Sequence, residues 1–390
     1  MSAPSPLLRR TAWCAIPIAA ALALSGCTQA EVAAPADTSG SSAAGAGVGP
    51  EEVAVSGKVT ETVGPNGATG VGTDQLVLSD ADITQLRNGN FSAALLLQTN
   101  SAWADAVTKG ARERLDQLGI RLSATSNSAY SAADQANAVR TVLADKPSAI
   151  LAWPINPAEL APSLRQAAQA GSKLAFISNI PDGFQHGTDY VGVVGDDLYG
   201  MGKVTADGLA SAIGGSGDIG FIYFSANAYV VNQRDAAFRT VIENDHPNIH
   251  IVAKQGFSDP SQVFEVARTM LLQNPSIKAI YAPWSEPAAG VIQALNTSNR
   301  NDVYVGTMDL SNTVALSLAQ GGAVRSLAID DPYGIGAAMA TEVGLALLGK
   351  QVPPYVQVGA MSVSKDNLLQ AYSQYYRSEP DPQVVAAVNQ

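Results

Sequence analysis

Carboxylates follow two apolar runs of this sequence, where they could form a ligand site. Asp309 comes shortly after Val303–Val305, and Asp330 and Asp331 come directly after Val324–Ile329. An ionised carboxylate only accepts hydrogen bonds, which suits a ligand that carries many hydroxyl groups. The alternative for Asp309 is a cap on the helix that follows it. One of the two neighbouring aspartates is predicted to face a site and the other to cap a helix, and the pattern does not separate them.

Tryptophans occupy similar positions. Trp103 and Trp284 each follow an apolar run and adjoin polar residues. An indole ring stacks on the apolar face of a sugar, and its N–H can donate a hydrogen bond. The alternative for both is a place in the core. Asn100 and Ser101 begin the first long helix and either contact a ligand or cap that helix.

Groups for covalent or metal chemistry are scarce. The only cysteines are Cys14 and Cys27, and His246 and His250 are separated by Pro247, which breaks the helix that would align them. The glycine-rich stretch 214–220 precedes an apolar run, whereas a phosphate-binding loop follows a strand. We therefore expect no cofactor, no metal and no enzyme, although a carboxylate pair could imitate a glycosidase.

The N-terminus predicts export. Arg9 and Arg10 precede an apolar stretch that ends in Leu24–Cys27, which reads Leu-Ser-Gly-Cys. This motif resembles the lipobox of bacterial lipoproteins, in which the cysteine is acylated. The resemblance implies a signal peptide over residues 1–26 and an extracytoplasmic protein anchored to the cell membrane through lipid on Cys27. The alternative is an ordinary secretory signal with a chance cysteine.

Composition narrows the possible partners. Residues 27–72 are rich in small residues and are predicted to form a flexible tether. Removing residues 1–26 takes away two basic residues and no acidic one, which leaves 21 basic and 34 acidic residues and a net charge of −13. Such a surface repels phosphate backbones, so nucleic acid is excluded as a partner. No later stretch is apolar for long enough to span a membrane.

From residue 91 onward, short apolar runs alternate with amphipathic stretches of about a dozen residues. The runs are Ala93–Leu97, Ile120–Ala124, Ala149–Ala152, Leu174–Ile177, Tyr190–Val194, Ile219–Phe224, Ile249–Val252, Ala279–Ala282, Val303–Val305 and Val324–Ile329. Strands that barely alternate belong to parallel sheets covered on both faces. Ten of them predict an α/β fold with two Rossmann-like lobes, each a parallel sheet flanked by helices.

Several stretches together resemble the ribose-binding type of bacterial extracytoplasmic solute-binding proteins. They are Gln98–Trp103, Lys146–Pro154, Ala282–Gly290, Val305–Asp309 and Asp331–Gly336. Their order and spacing along the chain are those of the family. The resemblance implies a three-segment hinge between the lobes. It implies a first lobe over 73–195 and 331–361 and a second over 196–330 and 362–390. It also implies an ABC transporter, so the expected partners are a membrane permease and its ATPase subunits.

The resemblance also implies a site between the lobes, made by Trp103, Trp284, Arg234, Asp309 and Asp330. The alternative for Arg234 is an Arg–Asp pair on a solvated face. One feature departs from the family. The charged Asp-Arg pair expected after the fourth strand is replaced by Ser178 and Asn179. Asn179 still offers a donor and an acceptor, so we expect a small neutral sugar or polyol rather than ribose.

Two functions of the binding class stay open at this stage. The first is delivery of the solute to an importer by a monomeric receptor. The second is a sensor that reports a sugar-like signal molecule to a membrane kinase or chemoreceptor. The sequence favours neither, because both need only a closed, ligand-bound form. A DNA-binding repressor with the same core is excluded, since a signal segment stands where its helix-turn-helix would be.

Overall fold

The structure, a computed structural model, describes residues 52, 55, 58–226 and 228–390. The predicted signal peptide, Cys27 and most of the predicted tether lie outside these residues, and the predictions about them stay predictions. Within the described part of the chain, none of the helices combines the length and apolarity that a membrane crossing requires.

The first sheet has seven strands in the order β1-β12-β6-β5-β4-β2-β3, and every pair is parallel. Its strands are β1 (Val71–Gly72), β2 (Ser92–Leu97), β3 (Arg121–Asn127), β4 (Ala149–Ala152), β5 (Lys173–Ile177), β6 (Gly192–Asp196) and β12 (Val356–Val358). β4 and most of β2 and β5 are buried on both faces, which explains their unbroken apolar runs.

The second sheet has six strands in the order β13-β11-β10-β9-β7-β8. Its strands are β7 (Gly217–Phe224), β8 (Ile249–Phe257), β9 (Ile277–Tyr281), β10 (Tyr304–Met308), β11 (Val324–Ile329) and β13 (Met361–Val363). Only β13 is antiparallel among them, and it pairs with β11 at one edge. All ten predicted apolar runs are strands, β2 to β11, so the alternation of strand and helix is confirmed.

Helices connect the strands and cover both faces of each sheet. They are α1 (Asp80–Asn88), α2 (Ala102–Leu118), α3 (Ala132–Leu143), α4 (Pro157–Gln169), α5 (Leu198–Ala212), α6 (Tyr229–Asp245), α7 (Val263–Gln273), α8 (Ser285–Thr297), α9 (Asn312–Ala319), α10 (Pro332–Leu347), α11 (Leu368–Ala371) and α12 (Pro382–Val388). A π-helical turn over Tyr372–Tyr376 follows α11. Each sheet with its helices has apolar clusters on both faces, so the chain forms two α/β lobes.

The chain passes between the two sheets three times. It leaves the first sheet after β6, returns from β11 into α10, and leaves again between β12 and β13. α10 packs on α2, β5 and β6, whereas α5 packs on α6, β10 and β11, which assigns each helix to its lobe. Met361 already belongs to the second sheet, so the third crossing lies at Gly359 and Ala360, just before the predicted position.

Two glycines let α2 and α10 approach closely. A Cβ atom on Gly110 would lie 2.0 Å from the carbonyl oxygen of Tyr333, and one on Gly336 would lie 2.0 Å from that of Val107. Any side chain at either position would push the helices apart. This contact places the start of α10, just after the second crossing, against Val107 and Gly110 in the second and third turns of α2.

The described fold begins earlier than the sequence predicts. Residues 58–72, the last part of the predicted tether, pack on the folded chain and contain β1. Val59 and Thr62 are 7% and 6% exposed. The prediction of a tether up to residue 72 is therefore wrong for this part. Residues 58–72 contain few large apolar residues, which is why their composition predicts a tether. They are held instead by hydrogen bonds to residues far away in the sequence.

Candidate functional site

Three carboxylates lie at the carboxyl ends of strands, one in the first sheet and two on neighbouring strands of the second sheet. Asp196 is the last residue of β6, Asp309 follows β10, and Asp330 follows β11. Open parallel sheets bind their ligands at this edge, because the loops there are free to present side chains. Asp196 and Asp330 also flank the first and second crossings between the lobes.

Arg234 of α6 joins two of these carboxylates. Its Nε donates to Asp196 Oδ2 at 2.7 Å, and its Nη2 donates to the same oxygen. Its Nη1 lies 3.5 Å from Asp309 Oδ2. The Arg234 and Asp196 side chains are 7% and 4% exposed, so this pair holds the guanidinium in one orientation.

Trp103 and Asp330 form the second connection. The indole Nε1 donates to both oxygens of Asp330, which is fully buried. Asp331, by contrast, caps α10 by accepting a hydrogen bond from the Gly334 backbone N–H at 2.8 Å. Asp331 is therefore the helix cap of the pair, and Asp330 accepts hydrogen bonds from Trp103.

Asp309 sits in a strained turn that presents its carboxylate. Its φ of 64° is in the left-handed region. Two hydrogen bonds hold the turn. The Asp309 N–H donates to the Ala328 carbonyl oxygen, and the Leu310 N–H donates to the hydroxyl of Tyr376. Asp309 Oδ1 is shielded from solvent and has no hydrogen-bond partner within the described residues. An unpartnered buried acceptor next to a fixed guanidinium is suited to receive a ligand hydroxyl.

The cluster contains three acidic side chains, Asp196, Asp309 and Asp330, and one basic side chain, Arg234. Burial raises the pKa of Asp330 well above its ordinary value, and the nearby Asp196 and Asp309 raise it further. Burial also raises the pKa of Asp309, although Arg234 opposes this effect. Burial opposes the charge of Arg234, but the surrounding carboxylates outweigh it and raise the pKa of the guanidinium. The cluster therefore keeps a charged guanidinium beside two carboxyl groups whose pKa values are raised.

Two tryptophans lie near the carboxyl ends of strands, and of these Trp103 contacts the carboxylate cluster through Asp330. Trp284 begins α8 and stacks edge-on against Phe224 at 5.3 Å between ring centroids, with Phe257 equally close. Its indole N–H lies 3.3 Å from Glu286 Oε2. The ring centroids of Trp103 and Trp153 are 4.7 Å apart. The half-buried rings of Trp103 and Trp284 suit the apolar face of a sugar.

Residues 93–351 match the protein family described as the periplasmic binding protein domain. The chain belongs to this family. The resemblance inferred from the sequence is therefore confirmed at the level of family and fold. No curated protein matches the sequence of this periplasmic binding protein.

Solved structures share the fold. The arabinose-binding protein of Geobacillus stearothermophilus is 18% identical, with a TM-score of 0.66 over 72% of this chain and 98% of that one. A solute-binding protein from Agrobacterium vitis, solved with α-D-tagatopyranose, is 20% identical, with a TM-score of 0.65 over 75% and 100%. One from Agrobacterium radiobacter, solved with D-arabinose, is 23% identical, with a TM-score of 0.61 over 77% and 99%.

The remaining predicted site residues of this periplasmic binding protein lie in the first lobe. Asn179 follows β5, and its side-chain amide donates to the Pro154 carbonyl oxygen at 2.9 Å. Ser101 caps α2 by accepting from the Ala104 N–H, while Asn100 before it is exposed. The hydrogen bonds of the structure do not connect these three residues to the Arg234 cluster.

Sequence reasoning missed two residues of the cluster, Asp196 and Tyr376. Asp196 follows an apolar strand just as Asp309 does, and that position was a usable signal. Tyr376 lies in the C-terminal π-helical turn, far from the other site residues in the sequence, and nothing in its neighbourhood predicts the contact with Leu310.

The described residues contain no group of three or more His, Cys, Asp or Glu side chains that could hold a metal ion. Around Arg234 the arrangement instead offers a forked donor, carboxyl groups and indole rings. These groups can bind and orient a ligand through hydrogen bonds and stacking.

Proposed function

We propose that this periplasmic binding protein is the extracytoplasmic receptor of an ABC importer and that it binds a neutral sugar or polyol. The ligand would lie between the lobes, with the indoles of Trp103 and Trp284 against its apolar face. Arg234, Asp309 and Asp330 would bond its hydroxyl groups. In this proposal the protein is a monomer that binds its ligand without changing it.

The shielded, unpartnered Oδ1 of Asp309 carries the proposal. Leaving a buried acceptor without a donor costs about 1–3 kcal/mol, and a ligand hydroxyl removes that cost. Its neighbour Arg234 supplies a donor at 3.5 Å from the other oxygen. A ligand that both donates and accepts at adjacent positions fits this pair, and adjacent hydroxyl groups on a sugar or polyol do both.

Related structures support a carbohydrate of this size. Two of those described above were solved with α-D-tagatopyranose and D-arabinose, and another from Actinobacillus succinogenes was solved with D-allose. Ser178 and Asn179 stand where a charged Asp-Arg pair would be expected in a ribose-binding protein. We therefore expect ribose to bind weakly if at all.

The position of the receptor follows from the N-terminus. Lipid on Cys27 would hold the protein at the membrane surface, and the segment after it would let the receptor reach its permease. Replacing Cys27→Ser in the full chain should release the protein from the membrane fraction of the producing cell. Retention of that variant in the membrane fraction would exclude the lipid anchor.

Thermal unfolding of the full chain with a panel of pentoses, hexoses and four- to six-carbon alditols tests the ligand class. Because a ligand that binds only the folded protein stabilises it by mass action, the melting temperature should rise with concentration for a hit. The panel includes D-arabinose, D-tagatose, D-allose and D-ribose. No stabilisation by any member would remove carbohydrate from the proposal, and product formed over many turnovers would indicate an enzyme.

The same assay tests the site. Asp309→Ala should abolish the shift caused by the hit while the unliganded melt barely moves. Asp302→Ala is the matched control, since Asp302 is an exposed aspartate of the same lobe that pairs with Arg300. A full ligand shift in Asp309→Ala would place the site elsewhere.

A further inference from the structure

The segment 58–72, which we call the N-terminal strap, first contacts the second lobe. Val59 packs on Ala236 and Ala237 of α6. The Thr62 hydroxyl donates to Asp197 Oδ1 and accepts from the Tyr199 N–H at the start of α5, at 2.9 Å. The strap is therefore fastened to two helices of this lobe.

A few residues later, the strap contacts the first lobe. The Asn66 side chain donates to the Pro354 carbonyl oxygen at 2.9 Å and to the Tyr190 hydroxyl at 3.3 Å. Gly64 lies against the ring of Tyr355, where an added Cβ would be 2.6 Å from Cγ. β1 then pairs with β12, and Val71 lies opposite Val356.

The two sets of contacts are separated by very little chain. The hydroxyl of Tyr229 in α6 donates to the Val63 carbonyl oxygen, and Asn66 is already bound to the first lobe. An extended chain spans about 3.3–3.6 Å per residue, so Val63 and Asn66 can separate by at most about 11 Å. The lobes cannot move further apart at this point unless hydrogen bonds on one side break.

We propose that the N-terminal strap is a fourth connection between the lobes and limits how far they can open. The three crossings of the chain form the hinge, and the strap adds a short brace beside the first of them. Asp197, which the strap contacts through Thr62, directly follows Asp196, and Asp196 accepts hydrogen bonds from Arg234. The brace therefore also fixes the crossing that positions the guanidinium of the site.

The distance between the tips of the two lobes, measured without any ligand, tests this proposal. Cys14→Ser and Cys27→Ser leave the full chain without thiols, so Ala133→Cys and Ser261→Cys can carry a pair of spin labels. These exposed residues begin the helical segments that follow β3 and β8, the outer strands of the two sheets. Pulsed electron paramagnetic resonance then reports the distribution of distances between the labels.

Two changes weaken the strap in different ways. Thr62→Val with Asn66→Ala removes a hydrogen-bonding side chain on each side of the crossing. Insertion of Gly-Ser-Gly-Ser between Gly64 and Pro65 keeps those side chains but lengthens the segment between them. We expect each change to broaden the distance distribution about twofold and to add longer distances, because more open conformations become accessible.

The matched control is Thr84→Val with Asn137→Ala, which changes the same residue types on exposed helix surfaces of the first lobe. It should leave the distribution unchanged. If the insertion variant gives the same distribution as the parent, the strap does not limit opening and the proposal fails. Because no ligand is used, this result is independent of whether a sugar binds.

Discussion

The indole Nε1 of Trp103 lies 2.9 Å from Oδ2 and 3.1 Å from Oδ1 of Asp330, although the two residues are 227 positions apart. Trp103 belongs to the first turn of α2, and Asp330 is the last residue before the second crossing. The close approach of α2 and α10 at Gly110 and Gly336 makes this contact possible. The bond therefore links the first lobe to the buried carboxyl group at the hinge.

Trp103→Phe should weaken binding of the sugar or polyol that stabilises the parent. The variant keeps a ring for stacking but removes the N–H that orients Asp330. Removing one partner of a buried hydrogen bond costs about 1–3 kcal/mol, so we expect about a tenfold loss of affinity in calorimetric titration. Trp153→Phe changes the neighbouring ring and leaves Asp330 untouched. Equal losses in both variants would argue against a role for the hydrogen bond.

Asp330 and Asp331 should respond differently to substitution. Asp331→Ala removes the cap of α10 and should lower the free energy of unfolding by about 1 kcal/mol with little change in ligand affinity. Asp330→Asn should weaken binding while the protein stays as stable or becomes more so, because a neutral group replaces an acid beside Asp196 and Asp309. Urea unfolding and ligand titration measure both effects. Loss of binding in Asp331→Ala alone would reverse our assignment.

Tyr376→Phe should affect both stability and binding. The change removes the acceptor of the buried Leu310 N–H, which should cost about 1–3 kcal/mol of unfolding free energy. Because that N–H fixes the turn at Asp309, ligand affinity should also fall. Tyr372→Phe is the control, since its hydroxyl makes only a 3.5 Å contact with Asn312. Unchanged affinity in a less stable Tyr376→Phe variant would mean that Tyr376 is structural only.

Glu342 should make the protein less stable as the pH rises. It is fully buried in α10 beside Gly192, and neither carboxyl oxygen has a hydrogen-bond partner in the described part of the chain. Burial raises its pKa well above the ordinary 4.5. The folded protein therefore keeps a proton that the unfolded chain releases above that value, and stability falls as the pH rises further.

Glu342→Met removes this dependence. We expect the variant to gain about 2 kcal/mol over the parent near neutral pH, with a gain that grows from about pH 5 to about pH 8 in denaturant titrations. Glu243→Met changes an exposed glutamate of α6 and should show no such trend. A gain that does not depend on pH would show that Glu342 does not hold a proton in the folded state.

The strands and helices were readable from the sequence because their signals are local. Each apolar run is a strand, and the amphipathic stretches between the runs are helices such as α3. The positions of Asp309 and Asp330 at strand ends were also predicted correctly, since each follows a strand that the sequence predicts. The division of the chain into two lobes with three crossing segments came from the resemblance to a family, and the strand orders came only from the structure.

Contacts between distant parts of the chain could not be predicted from local sequence patterns. The sequence could not separate Asp330 from Asp331, because both follow the same strand and only the packing of α10 on α2 turns one of them toward Trp103. It predicted a tether where the strap lies, because the strap is held by Asp197, Tyr229 and Pro354 rather than by its own apolar residues.

The sequence by itself therefore determined the class of fold, the succession of strands and helices, and the kinds of side chain at the strand ends. Hydrophobic periodicity and turn chemistry act over a few neighbouring residues, so a short stretch of sequence is enough to predict a strand, helix or turn. Only the tertiary structure decided that Asp196 holds Arg234, that Tyr376 supports Asp309, and that residues 58–72 bridge the lobes. Those contacts depend on the close packing of elements far apart in the chain, which no local pattern encodes.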